Sequence, residues 1–176
     1  EEQEMKQKLK LALVGAGERG QYCYAPYAKM HGYEIEFVAV ADPHKGRREK
    51  FVQDYHVPAE GVFETAEQFF ARPRMADAVL ICTQDSQHYA YACQAIDLGY
   101  SILLEKPISP SVRECLDLQR RAEEKGTQIM VCHVMRYTKF YRKLKELIDS
   151  GVIGDVVHVT HTENVAYWHY ARSEEH

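Results

Sequence analysis

An apolar run, Leu9–Val14, stops at Gly15-Ala16-Gly17-Glu18-Arg19-Gly20, and the residues that follow, Gln21–Met30, are compatible with a helix. A short apolar run bounded by glycine reads as a strand buried on both faces, as in a parallel sheet. Each glycine then has a physical task. Gly15 permits a tight turn, Gly17 lets a bound group approach the backbone, and Gly20 lets the helix pack closely on the strand. The helix N-terminus offers unpaired N–H groups to anionic oxygens, so this strand, turn and helix predict a seat for a dinucleotide pyrophosphate. A turn serving packing alone is the bland alternative.

The same alternation continues down the chain. Phe37–Ala41 reads as a second strand and Lys45–Tyr55 as a helix, with Phe51, Val52 and Tyr55 spaced to face a sheet. Val62-Phe63, Ala78–Cys82, Ser101–Leu104 and Ile129–Val134 read as further strands. Ala66–Ala71, Gln87–Leu98 and the amphipathic Ser111–Lys125 read as the helices between them, the last two closed by Gly99 and Gly126. Alternating strands and helices of these lengths predict an α/β fold, a doubly wound parallel sheet of the Rossmann type, over residues 1–136. Residues 137–176 read as a linker helix, with Phe140, Leu144, Leu147 and Ile148 on one side, and a strand at Val156–Thr162. One helix and one strand are too little for an independent core, so this segment reads as the start of an incomplete second α/β domain.

Composition excludes several classes. A net charge of −4 leaves no basic surplus for a nucleic-acid backbone. The apolar runs are far shorter than the roughly 20 residues of a membrane span, and the first residues lack a signal-peptide core, so a cytoplasmic location with no membrane partner is expected. Cys23, Cys82, Cys93, Cys115 and Cys132 form no C-x-x-C pair and read as buried reduced thiols. His31, His44, His56, His158 and His161 lack clustered acidic or cysteine partners, so no metal is expected. Tyr22, Tyr24 and Tyr27, like Tyr167 and Tyr170, read as packing or interface residues.

Two further strand ends carry chemistry. Asp42 closes the second strand about 20 residues after the glycines, where a carboxylate accepts hydrogen bonds from ribose hydroxyls and repels a 2′-phosphate. NAD is therefore expected over NADP, although Lys45, Arg47 and Arg48 lie close enough to neutralise a phosphate, and Asp42 also suits a helix N-cap. Lys106, in Glu105-Lys106-Pro107 at the end of the fifth strand, would point into the crevice where such sheets bind ligands, placed for proton transfer.

Taken together, GAGERG, VAVADP, ICTQDSQH, LLEKPIS and YRKLKELIDSGVIGDV strongly resemble the glucose-fructose oxidoreductase, inositol dehydrogenase and MocA family over nearly the whole chain. The resemblance implies that Lys106 is the catalytic lysine and Glu105 its motif neighbour. It also implies that Thr83-Gln84-Asp85-Ser86-Gln87-His88 is the loop beside the cofactor, with Gln84 standing where the family has proline. Thr83, Gln84 and His88 thus join Gly15, Ala16, Gly17, Glu18, Arg19, Gly20, Asp42, Glu105 and Lys106 as expected cofactor contacts. Arg136 resembles the position lining the crevice after the sixth strand; a surface arginine is its alternative. Members continue into a C-terminal domain that carries a D-x-x-x-H type motif and often mediates homo-oligomerisation. Nothing here matches that motif, and His176 is a poor substitute, so the chain reads as the cofactor part of a larger protein.

The function expected from the resemblance is hydride transfer between NAD and a sugar, cyclitol or related polyol. An NAD-dependent glycoside hydrolase and a non-catalytic NAD-binding regulator are the alternatives.

Overall fold

In the computed structural model, which describes residues 7–164, the run Leu9–Val14 is strand β1 and its last four residues are buried. Five more strands join it: β2 (Ile35–Ala41), β3 (Val62–Phe63), β4 (Ala78–Ile81), β5 (Ser101–Leu104) and β6 (Ile129–Val131). All pairings are parallel, in the order β3-β2-β1-β4-β5-β6. Parallel neighbours require the chain to cross back between strands. The returning helices are α1 (Pro26–Met30), α2 (Lys45–Tyr55), α3 (Ala66–Phe70), α4 (His88–Asp97) and α5 (Val112–Lys125).

Alternate residues of the central strands feed two apolar layers. Ala12, Val14, Val79, Ile81, Ile102 and Leu104 enter the layer that also holds Phe69, Tyr91, Ile96 and Leu118 of α3, α4 and α5. Leu11, Leu13, Phe37, Val40 and Leu80 enter the other, with Ala25, Ala28 and the α2 residue Phe51. Residues of both faces are therefore withdrawn from water, which is why β4 and the last four residues of β1 read as unbroken apolar runs.

Local chemistry sets the helix ends. Thr65 and Ser111 cap α3 and α5 by accepting the N–H groups of Gln68 and Glu114. Gly126 closes α5 in the left-handed conformation, at φ +65°.

Several expectations are corrected. Gln21–Met30 is not one helix: Arg19–Tyr24 is a π-helical turn and α1 starts at Pro26. Pro26 has no N–H to continue an α-helical ladder, and the Ala25 N–H reaches back five residues to the Gly20 carbonyl at 3.0 Å. β6 is shorter than Ile129–Val134 and stops at Val131. Cys23 is exposed and Cys82, Cys93 and Cys115 are half-buried, leaving Cys132 as the buried thiol; all five are free.

The chain divides into two units, Glu1–Cys132 and His133–His176, where the sequence placed its boundary after residue 136. In the second unit a 3-10 turn, Val134–Tyr137, precedes α6 (Lys139–Asp149), which Thr138 caps by accepting the Tyr141 N–H. Val156–Thr162 forms no strand: among the described residues it joins no backbone ladder, although the His161 ring meets the Tyr141 hydroxyl at 3.1 Å, and Val157 is 95% exposed. A strand is held by its ladder, and apolar alternation cannot supply one. Tyr167, Tyr170 and His176 lie outside the described residues. No helix among the described residues is long and apolar enough to cross a membrane.

Candidate functional site

In this strand order the crossovers leave β1 and β4 in opposite directions, opening a crevice beyond their carboxyl ends. The glycine turn after β1, Asp42 after β2, Cys82-Thr83 after β4 and Glu105-Lys106 after β5 all stand at that end of the sheet.

The glycines separate by what surrounds them. Gly15 has φ +94°, and a Cβ there would lie 2.5 Å from the Cys82 carbonyl oxygen. A Cβ on Gly20 would collide with the Gly15 carbonyl and sit 2.8 Å from Leu13 Cδ1. Gly17 differs. The nearest atom to a Cβ there is Arg47 Nη1 at 3.9 Å, so its backbone faces free space beside a guanidinium. Two polar atoms in this region are buried without partners: Gln21 Nε2, next to Gly20, and Thr83 Oγ1. An open glycine backbone flanked by a cation, with orphaned polar groups close by in the chain, suits an anionic ligand such as a dinucleotide.

Asp42 is 3% exposed and already engaged. Its Oδ2 accepts the Ala16 N–H at 2.7 Å and its Oδ1 accepts the His44 N–H at 2.8 Å. The carboxylate thus ties the glycine turn to β2. It is not the N-cap of α2; that place belongs to His44, whose Nδ1 accepts the Arg47 N–H. Of the basic residues nearby, Arg48 is turned inward, its Nη1 donating to the Asp42 carbonyl at 2.6 Å and its Nη2 lying 3.4 Å from Glu64. Lys45 pairs with Glu49 at 3.7 Å. Arg47 is left beside the turn.

On the β5 side Glu105 is buried and Lys106 exposed. Glu105 Oε2 accepts the Lys106 N–H at 2.9 Å, and Oε1 accepts the Tyr24 hydroxyl. Burial, together with hydrogen bonds to Cys132 and Glu105, holds the Tyr24 phenol neutral well beyond the ordinary tyrosine range. Burial opposes the charge of Arg19, but attraction to Glu105 and Cys23 outweighs it and raises its pKa. Burial and the Glu105 charge push the Cys82 thiol up, and burial does the same for Cys132, which favours the protonated thiol in both.

His88 is fully buried at the start of α4. Its Nδ1 lies 2.6 Å from the Pro107 carbonyl and its Nε2 3.2 Å from the Thr83 carbonyl. Gln84 is exposed and begins the short turn Asp85–Gln87 that leads into α4. Glu18 stands at the entry to the π turn. Arg136 is exposed on the 3-10 turn of the second unit. Among the described residues no group of three His, Cys, Asp or Glu side chains is arranged to hold a metal ion.

The sequence reading missed Tyr24, whose partner lies 81 residues away, and Gln21. Tyr24 sits four residues after Gly20, so Pro26 was the available signal that the helix there departs from ordinary phase.

Comparison with known proteins accords with this geometry. The chain is 31% identical over 157 residues to inositol 2-dehydrogenase of Pseudomonas savastanoi, a match covering 87% of this chain and 46% of the relative. It is 29% identical over 153 residues to 2,7-anhydro-N-acetylneuraminate hydratase of Mediterraneibacter gnavus, covering 87% of this chain and 39% of the relative. Among solved structures, apo scyllo-inositol dehydrogenase from Lactobacillus casei superposes with a TM-score of 0.76 at 22% identity, covering 86% of this chain and 44% of that one. The chain spans about half the length of the curated relatives it matches. The family model described as an oxidoreductase family with an NAD-binding Rossmann fold matches residues 9–133, and the chain belongs to that family of glucose-fructose oxidoreductase, inositol dehydrogenase and MocA proteins.

Proposed function

We propose that the crevice binds NAD and that the whole protein uses it to oxidise a carbinol carbon of a sugar, cyclitol or related polyol. Lys106 carries this reading: it is the exposed residue of a turn at the carboxyl end of β5, and its neighbour Glu105 is buried. When bound, the cofactor accepts or returns a hydride at its nicotinamide. The chain's own groups do the rest. Backbone N–H groups at the glycine turn and the Arg47 guanidinium would hold the pyrophosphate. Asp42 would accept ribose hydroxyls, since a carboxylate has about four acceptor sites and two are used by Ala16 and His44. Its charge favours NAD over NADP. Lys106 would take the substrate hydroxyl proton during oxidation and return it during reduction.

The test is Lys106→Ala in the whole protein, assayed at the NADH absorbance over a panel of myo-inositol and sugars. Turnover should fall by about 10²- to 10⁴-fold with NAD affinity by calorimetry little changed. Lys106→Arg should not restore it, because a guanidinium stays protonated. An unchanged kcat would remove Lys106 from the mechanism. The hydratase name of the Mediterraneibacter gnavus relative motivates product analysis alongside. Sugar converted or released without net NADH would replace net oxidation by transient oxidation. NAD binding without any conversion would indicate a sensor.

A further inference from the structure

The residues on either side of Lys106 are each tied down by a distant element. On one side, Glu105 spends one carboxylate oxygen on the Tyr24 hydroxyl and the other on the Lys106 N–H. On the other, the Pro107 carbonyl is 2.6 Å from Nδ1 of His88, and that ring also meets the Thr83 carbonyl. Tyr24 belongs to the turn that follows the glycines, and His88 opens α4 after β4. A buried hydrogen-bonded carboxylate and a fully buried imidazole fix backbone better than solvent-exposed contacts, because water competes less for a buried group.

We propose that Tyr24 and His88 form a two-sided clamp on the Glu105-Lys106-Pro107 turn and are positioning residues for Lys106. The proposal deepens the oxidoreductase reading and rests on it for its link to turnover. It also reassigns His88, which the sequence placed among the cofactor contacts: its ring is enclosed, and both nitrogens already meet carbonyl oxygens. On the Tyr24 side the clamp joins the pyrophosphate seat to the lysine turn. The hydroxyl that reaches Glu105 sits on the same π-helical turn that begins at the glycine motif.

Tyr24→Phe is the deciding variant, because it removes one oxygen from a half-buried ring and leaves the packing intact. Amide hydrogen exchange at Lys106 should quicken by at least about tenfold as Glu105 loses its second anchor, while amides of β2 and α2 keep their wild-type rates. In the whole protein, kcat with a polyol substrate should fall by about tenfold or more, with NAD affinity within about twofold of wild type. His88→Asn, whose amide NH2 can still donate to the Pro107 carbonyl, should fall between wild type and His88→Ala in both readouts. Unchanged exchange at Lys106 in Tyr24→Phe would overturn the clamp whatever the activity does. Equal losses in NAD affinity and kcat would overturn it too, showing that Tyr24 serves the cofactor seat alone. If the wild-type protein oxidises no polyol, exchange still decides on the clamp, and the oxidoreductase reading fails separately.

Discussion

On the β1–β2 side of the sheet the ligand-facing loop is shaped by backbone and by missing side chains; on the β4–β5 side it is held by side chains reaching across the fold. Gly15 and Gly20 sit where a Cβ would strike backbone, and Asp42 grips the Ala16 N–H. Across the crevice, the turn at Glu105-Lys106-Pro107 is anchored by Tyr24 and His88, 81 and 19 residues away in sequence. A pyrophosphate needs donors at close range and little else, which bare backbone supplies. A proton-transfer group needs aim, which packed side chains supply.

The sharpest way to break this contrast is to add a methyl group to the first side. Gly15→Ala places a Cβ 2.5 Å from the Cys82 carbonyl oxygen at φ +94°, a combination of overpacking and backbone strain that should cost on the order of 3 kcal/mol. Urea unfolding should show it as a lowered midpoint, together with loss of NAD binding. Gly17→Ala, with nothing nearer than 3.9 Å, should leave the midpoint close to wild type and weaken NAD binding alone. Equal destabilisation by both would mean that the turn serves packing only.

Asp42→Asn tests the tie between the glycine turn and β2. An amide presents one acceptor where two N–H groups converge, so one donor is left facing another, at a cost of about 1–3 kcal/mol. Calorimetry should show the preference for NAD over NADP shrinking as the charge is removed. An unchanged ratio would hand the discrimination to Arg47.

The smallest effect lies in the helices that cover the β4–β5 side. Asp117 accepts from Arg120, Arg121 and Tyr89, and these bonds hold its carboxyl well below the usual carboxylate range. A folded-state pKa below the unfolded value near 3.9 means that the stabilisation is present above about pH 4 and lost as pH falls further. Asp117→Asn should therefore lower the melting temperature slightly at pH 7 and flatten its decline below about pH 4. A parallel decline in both proteins would show that the cluster contributes nothing.

How much of this was readable beforehand follows the same divide. Gly15 and Gly20 announce themselves in sequence because a Cβ at either would strike backbone, and β1, β3 and β5 fall at the predicted residues because their buried positions are apolar. Side-chain anchors are silent. Nothing local to Tyr24 names Glu105, and His88 looks the same on paper whether it touches a ligand or is walled in by Thr83 and Pro107. Val156–Thr162 shows the opposite error: its alternation is real, but a ladder needs a second strand.

The wide turn before Pro26 also affects how other chains should be aligned with this one. An α-helix would set Gly20 and Ala25 about 140° apart around its axis, whereas here both face the sheet, Gly20 against Leu13 and Ala25 fully buried. The turn accommodates one residue more than an α-helical turn does. A homologue with an unbroken α-helix after its glycines should therefore need a single-residue gap between Gly20 and Pro26. Without it, the position matched to Tyr24 would fall on a different side of the helix, and the partner of Glu105 would be sought in the wrong column.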